Sequence, residues 1–247
     1  MTLPASFRAF RIHAEGGHRA GIEAITLDDL MPGEVVVKAA YSSVNYKDAL
    51  AGTGTGKILR RFPMVGGIDV AGHVVASSDP RFKEGDAVLC TGSGLSETRD
   101  GGYSEVVRLE AKWTIPLPPG LSLREAMVLG TAGFTAGLSL LRMEHNGQSP
   151  DQGPVVVTGA TGGVGTLAID ILTRAGYEAH AISGKPEQAD FLRPPFNPGN
   201  GSQRSDFTFE QAELSGELGF LALRRLDIES TAGGEAVLEH GQQSGNP

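Results

Sequence analysis

Three valines running into a cluster of glycines constrain this chain more than any other feature. The segment reads Val155-Val156-Val157-Thr158-Gly159-Ala160-Thr161-Gly162-Gly163-Val164-Gly165. β-Branched residues crowd a helix at χ1 and suit a pleated strand, so the valines predict a strand. Apolar residues then recur at Val164, Leu167, Ala168, Ile171 and Leu172, the spacing of one helix face. A strand therefore feeds a helix through a turn carrying few side chains. Main-chain amides stand bare there, at the positive end of the helix dipole, where a pyrophosphate can approach them. The helix is expected to stop at Gly176 and a second strand to occupy residues 177–182, completing a βαβ unit of about 30 residues. The pattern is that of a dinucleotide site, with Gly159, Thr161, Gly162, Gly163 and Val164 as candidate contacts.

The end of the second strand selects the dinucleotide. A site for NAD usually places an acid about 20 residues beyond the first glycines, to hold the ribose 2′-hydroxyl. Here the tip is Ser183-Gly184-Lys185. A hydroxyl, an open backbone and a cation suit a 2′-phosphate, which a carboxylate would repel. NADP is the expected cofactor.

Bulk properties narrow the partners. A chain of 247 residues has room for two modest domains. Its net charge of -8 argues against nucleic-acid binding, which draws on clustered cations. Cys90 is the only cysteine, so no internal disulfide and no multi-cysteine zinc site can form, and a reducing, cytoplasmic setting is expected. Residues 1–11 lack the apolar core of a signal peptide. The uncharged stretch 126–141 is interrupted by Gly130, Gly133 and Gly137 and is short for a membrane span, so a buried helix in a soluble protein is expected.

Upstream, strands are expected at 34–41, 70–76, 87–90 and 103–109, set apart by Pro32-Gly33, Gly66-Gly67, Gly85-Asp86 and Asp100-Gly101-Gly102. Short strands with regular turns predict a barrel-like antiparallel domain over residues 1–120. Ser122 and Glu125 then form a capping box for a helix reaching about Leu141. The fold class is α/β, a β domain followed by a nucleotide-binding domain.

Seven segments in order carry a family resemblance. They are Ser42-Ser43-Val44-Asn45-Tyr46-Lys47-Asp48-Ala49-Leu50, Phe62-Pro63-Met64-Val65-Gly66-Gly67-Ile68-Asp69-Val70-Ala71-Gly72, Asp79-Pro80-Arg81-Phe82 and Gly101-Gly102-Tyr103-Ser104-Glu105, then Gly130-Thr131-Ala132-Gly133-Phe134-Thr135-Ala136, the glycine turn and Ser183-Gly184-Lys185. Over residues 1 to about 193 the chain resembles the zinc-independent medium-chain dehydrogenase/reductases of the quinone-oxidoreductase type, acryloyl-CoA reductase branch. The resemblance implies a GroES-like first domain that closes on a Rossmann domain, with substrate in the cleft. It implies use of NADPH to reduce the α,β double bond of acryloyl-CoA, contacts to the cofactor from Tyr46 and Thr131, and a homodimer. Zinc-dependent relatives carry cysteine and histidine where this chain has Asn45-Tyr46 and Ile68-Asp69, neither of which supplies a zinc donor of that kind. No metal is expected; His73 is expected in a strand and Cys90 as a buried small hydrophobe.

Reduction of a conjugated thioester places negative charge on the thioester oxygen, and donors near that oxygen lower the barrier. Asn45, an amide donor, and Tyr46, a phenol, are the candidate catalytic groups, with Tyr46 alternatively positioning the nicotinamide. Asp48 either orients Lys47 or caps a helix. Gly52-Thr53-Gly54-Thr55-Gly56-Lys57 is one residue short of a phosphate loop, and Ile58 replaces its hydroxyl. Lys57, Arg60 and Arg61 form a basic cluster suited to the phosphates of coenzyme A, or simply a solvated face.

The resemblance stops near Arg193. Residues 121–193 supply the first half of a Rossmann domain, and residues 194–247 read as a divergent tail without the second half, so the domain looks truncated. Pro194 and Pro195 break the helix begun at Glu187, a loop follows to Gln203, one or two short helices are expected within 211–230, and 233–247 has a disordered composition. A frameshifted or truncated gene is one account of the tail. Besides an enoyl-thioester reductase, two alternatives stay open: a quinone or enone reductase, and a non-catalytic nucleotide-binding or subunit-interaction remnant. An RNA-binding role is disfavoured by the acidic balance.

Overall fold

The structure, a computed structural model, describes residues 3–185, 208–214 and 221–225. They fall into two units, Met1–Gln148 and Ser149–Pro247. The first contains β1 (Phe7–His13), β2 (Arg19–Ile25), β3 (Val35–Tyr41), α1 (Tyr46–Thr53), β4 (Met64–Val65), β5 (Asp69–Ser77), β6 (Ala87–Thr91), β7 (Val106–Leu109), β8 (Ile115–Pro116) and α2 (Leu123–His145).

Alternation along β3 explains the first unit. Val35 and Val37 join one apolar cluster with Val70, Val74, Val88 and Val107, whereas Val36 joins a second with Phe7, Ile25, Val65 and Val75. Successive strand residues point to opposite faces, so a run of valines marks a strand covered on both sides. β3 accordingly lies inside an antiparallel sheet of order β7-β3-β5-β6-β8, and a smaller sheet has the order β2-β1-β4. The expected strand at 103–109 is shorter than predicted: β7 begins at Val106, and the residues before it bond β1 through an isolated bridge between Ser104 and Ala9.

The capping box forms as expected. Ser122 Oγ accepts from the Glu125 N–H at 3.2 Å and donates to the Glu125 carboxylate at 2.7 Å. α2 packs Ala126 and Met127 against Ala71 of β5, within the first unit. It also runs beyond Leu141 to His145, long and apolar enough by composition to cross a bilayer. Gly130, at φ 50 and ψ -154, interrupts it, and each piece is shorter than the about 20 residues a span requires.

The second unit contains β9 (Val155–Thr158), α3 (Gly163–Arg174), β10 (Ala179–Ser183), β11 (Thr208–Leu214) and β12 (Leu221–Arg225). β9 and β10 pair in parallel, Val155 opposite Ala179, with α3 between them in sequence, so the predicted βαβ unit is present. α3 buries Ile169 and Leu172 and gives way to Gly176 at φ 86. The helices expected within 211–230 are overturned where that stretch is described. β11 runs parallel to β10 and β12 antiparallel to β11. Leucines at 214, 218 and 221 mimic a helical period, but the free edge of β10 offers a backbone ladder that local spacing does not reveal. The expectations for 187–203 and 233–247 lie outside the described residues. Among the described strands, β9 pairs on one side only.

Candidate functional site

A register shift between β3 and β5 at Ala39/Tyr41 releases the chain into Ser42, Ser43, Val44 and Asn45, which leads into α1. Asp48, in the first turn of α1, is buried. Its carboxylate accepts from the Asn45 N–H at 2.8 Å and the Ile68 N–H at 2.9 Å. Of the two roles expected for Asp48, the helix cap is the one the geometry shows. Lys47 instead reaches Glu97 at 2.7 Å, and this partner holds the Glu97 carboxyl below the usual range. Tyr46 is 80% exposed.

Beneath this loop Asp69 is fully buried. The Asn45 side-chain amide donates to its carboxylate at 2.9 Å and to Ser43 Oγ at 2.9 Å. Ser43 Oγ donates to the same Asp69 oxygen. Thr131 donates twice, through its N–H at 3.0 Å and its hydroxyl at 2.6 Å. An ionised carboxylate only accepts, so the Asn45 nitrogen must face it. Both amide hydrogens are thereby taken, and in this arrangement Asn45 does not offer the free donor the sequence suggested. Tyr46 keeps its phenol toward solvent.

The glycine pairs of the sequence meet here. The Gly102 N–H donates to the Gly67 carbonyl at 2.8 Å and the Tyr103 N–H to the Gly66 carbonyl at 2.9 Å. A Cβ at Gly102 would collide with the Asp69 carbonyl. Tyr103 donates its hydroxyl to the Ser43 carbonyl at 2.9 Å. Burial and the nearby Asp48 and Asp69 push that phenol well up, so it stays protonated. A cavity of about 420 Å³ opens beside the cluster, lined among others by Phe10, Ile22, Tyr41, Ser42 and Tyr103.

In the second unit Gly159 adopts φ 62, a left-handed turn that favours glycine. Gly162 precedes α3 with no side-chain cap, which leaves the first-turn amides without an intrahelical acceptor. A Cβ at Gly165 would lie 2.7 Å from Ala160 Cα and closer still to the Gly159 carbonyl, so only glycine lets the helix start this near the strand end. Added Cβ atoms at Gly159 and Gly184 would meet open space. Ser183 is buried with its Oγ 3.2 Å from Thr161 Oγ, and it accepts from the Lys185 N–H at 3.1 Å. Gly184 and Lys185 are exposed. Val164 is 41% exposed, so it belongs to the turn's surface and not to the apolar face of α3. A turn bare of side chains, open space at Gly159 and Gly184 and a cation at the tip fit a phosphorylated nucleotide.

The remaining candidates separate. Cys90 is buried and burial pushes its thiol up to about 12, while His73 is exposed on β5. Among the described residues no group of three or more His, Cys, Asp or Glu gathers to hold a metal. Lys57, Arg60 and Arg61 are exposed, with Arg60 Nε 3.9 Å from Glu97. Asp69 and Ser43 are the residues that sequence reasoning missed. Their signal was an acid inside an apolar strand, at a place noted only for lacking a zinc ligand.

Residues 31–119 match the alcohol dehydrogenase GroES-like domain. The chain is 52% identical over 172 residues to the putative quinone oxidoreductase YhfP of Bacillus subtilis, covering 70% of this chain and 52% of that protein. It is 49% identical over 177 residues to the acrylyl-CoA reductase AcuI of Ruegeria pomeroyi, covering 72% and 54%. Among solved structures, the yhdH oxidoreductase of Salmonella enterica in complex with NADP superimposes with a TM-score of 0.73 at 47% identity, over 75% of this chain and 57% of that one. The B. subtilis yhfP protein with NAD bound gives 0.73 at 48%, over 76% and 58%. The chain spans about half the length of the curated relatives it matches. With its GroES-like domain, its βαβ unit with the bare glycine turn and these relatives, the chain belongs to the medium-chain dehydrogenase/reductase family.

Proposed function

We propose that this chain carries the residues of an NADPH-dependent reductase acting on the α,β double bond of acryloyl-CoA or a related enoyl thioester. The observation that carries the cofactor choice is the Ser183-Gly184-Lys185 tip, which sets an exposed cation and no acid beside the uncapped turn. The AcuI likeness supports the substrate class. Residues 1–120 serve as the GroES-like catalytic domain, 121–193 as the first half of the nucleotide-binding domain and 194–247 as a divergent tail.

NADPH, when bound, would supply the hydride for the β carbon, and a proton taken up at the α carbon, ultimately from water, completes the reduction. The amides of Gly159, Thr161, Gly162, Gly163 and Val164 hold the pyrophosphate. Ser183 shapes the tip so that Gly184 and Lys185 take the 2′-phosphate. Thr131 and Tyr46 position the nicotinamide end, and the exposed Tyr46 phenol donates toward the thioester oxygen. Asp48 fixes the backbone of Asn45 and with it the entry to α1. The reaction proceeds without zinc, since Asn45-Tyr46 and Ile68-Asp69 offer no cysteine or histidine. A cytoplasmic homodimer is the form proposed, in keeping with the lone buried thiol.

The test is NADPH titration of the full chain coupled to turnover of acryloyl-CoA, a quinone and a simple enone. Oxidation of NADPH that is fastest with acryloyl-CoA supports the proposal. Faster turnover of the quinone favours the second reading, for which the YhfP likeness speaks. Tight binding with no oxidation favours a non-catalytic module, for which the one-sided pairing of β9 among the described strands speaks. Absence of NADPH binding refutes the proposal.

A further inference from the structure

Asp69 stands out because four donors converge on one fully buried carboxylate and all four are neutral. They arrive from separate parts of the first unit, Ser43 and Asn45 from the loop before α1 and Thr131 from the far side of the break in α2. A fifth bond ties the same residue's backbone to that loop, as Ser42 Oγ donates to the Asp69 carbonyl at 2.6 Å. The break in α2 is itself shaped by this carboxylate. A Cβ at Gly130 would lie 2.8 Å from Asp69 Oδ2 and 3.1 Å from Ser43 Oγ, and the φ of 50 at Gly130 turns the Thr131 N–H onto the acid.

We propose that Asp69 is the positioning residue of the candidate nicotinamide-side cluster, acting through Asn45 and Thr131 without itself touching the cofactor. The proposal rests on the reading that this chain binds NADPH. One acceptor-only group sets the rotamer of Thr131, the direction of the Asn45 amide and the placement of Ser43 at once. Replacement by Asn introduces a donor. Its nitrogen fits only where the Thr131 hydroxyl can reverse from donor to acceptor, because the other oxygen faces three donors. The change therefore disturbs Thr131 while keeping side-chain volume. Asp100 offers a contrasting buried carboxylate, which accepts the Met31 and Val65 N–H groups at 2.8 and 2.9 Å and touches none of the cluster.

The experiment compares Asp69→Asn, Ser43→Ala and Asp100→Asn in the full chain by NADPH titration, thermal unfolding and NMR of the side-chain amides. Asp69→Asn is expected to weaken NADPH binding at least tenfold with the unfolding midpoint near that of the wild type. Asp100→Asn is expected to lower the midpoint with affinity within twofold. Should Asp69→Asn fail to fold, Ser43→Ala replaces it, with about a threefold loss of affinity expected. NADPH affinity within twofold of wild type in the folded variant overturns the proposal. If the wild type binds no NADPH, the cofactor reading falls by itself and positioning is judged by NMR. The Asn45 side-chain amide and Thr131 N–H keep an oxygen acceptor in the variant, but an amide oxygen accepts more weakly than a carboxylate, so they exchange slowly in the wild type and severalfold faster in the variant if Asp69 holds them, and unchanged exchange overturns the claim.

Discussion

Replacement of Gly165 by Ala puts the packing of the glycine turn to the test. The added Cβ lies 2.7 Å from Ala160 Cα and closer still to the Gly159 carbonyl. Ordinary carbon contacts sit at about 3.5–4.0 Å, so the start of α3 must retreat by roughly 1 Å. Overpacking of this kind costs about 1–3 kcal/mol. The gain in helix propensity from Gly to Ala returns up to ~1 kcal/mol, which leaves a net loss of up to about 2 kcal/mol. In a chain of this size each kcal/mol lowers the midpoint by roughly 2–4 °C. The same retreat moves the first-turn amides away from the pyrophosphate, so NADPH affinity is expected to fall about tenfold, or ~1.4 kcal/mol. The control is Gly137→Ala in α2, where an added Cβ meets nothing within 4 Å and the change should stabilise by about 0.5–1 kcal/mol. Thermal unfolding and cofactor titration of both variants decide the matter. A Gly165→Ala protein as stable as the wild type and binding NADPH equally well refutes the packing argument.

Other outcomes follow from single groups. Ser122→Ala removes the reciprocal cap of α2 and should cost about 1 kcal/mol in urea unfolding. The Cys90 thiol is raised from its ordinary 9.0 to about 12 by burial. The folded protein thus keeps a proton the unfolded chain loses, and stability present below pH 9.0 should decline by about 1.4 kcal/mol per pH unit up to the folded value. Cys90→Ala should flatten this alkaline slope in unfolding measured across that range. Changing Arg60 and Arg61 to Ala should raise KM for acyl-CoA severalfold and leave that for a small enone unmoved. Equal effects on both would show that the basic cluster is only a solvated face.

Much of this fold was legible from local pattern. The valine runs at Val35-Val36-Val37 and Val155-Val156-Val157 became a doubly covered strand and the strand before the turn. The Ser122–Glu125 cap formed with its partners named correctly. What stayed hidden was non-local. Thr131 lies 62 residues from Asp69 in sequence, and no spacing announces that its N–H and hydroxyl end on that acid. Asn45 was legible as a polar group at a strand end, but its direction depends on which atom Asp69 accepts. Gly130 looked like a tolerated glycine in an apolar helix, although its left-handed φ interrupts that helix. The strands at 208–214 and 221–225 were missed because their pairing is set by the edge of β10, not by their own period.

The central claim is that the bare amides after β9 hold a dinucleotide's phosphates and that Lys185 answers the extra phosphate of NADPH. Titration of NADPH and NADH into wild-type and Lys185→Ala protein measures this most directly. The account predicts that the wild type prefers NADPH at least tenfold and that the variant loses most of that preference, about 1.4 kcal/mol, with NADH affinity unchanged. Equal affinity for the two nucleotides in the wild type, or a preference that survives the substitution intact, would contradict it.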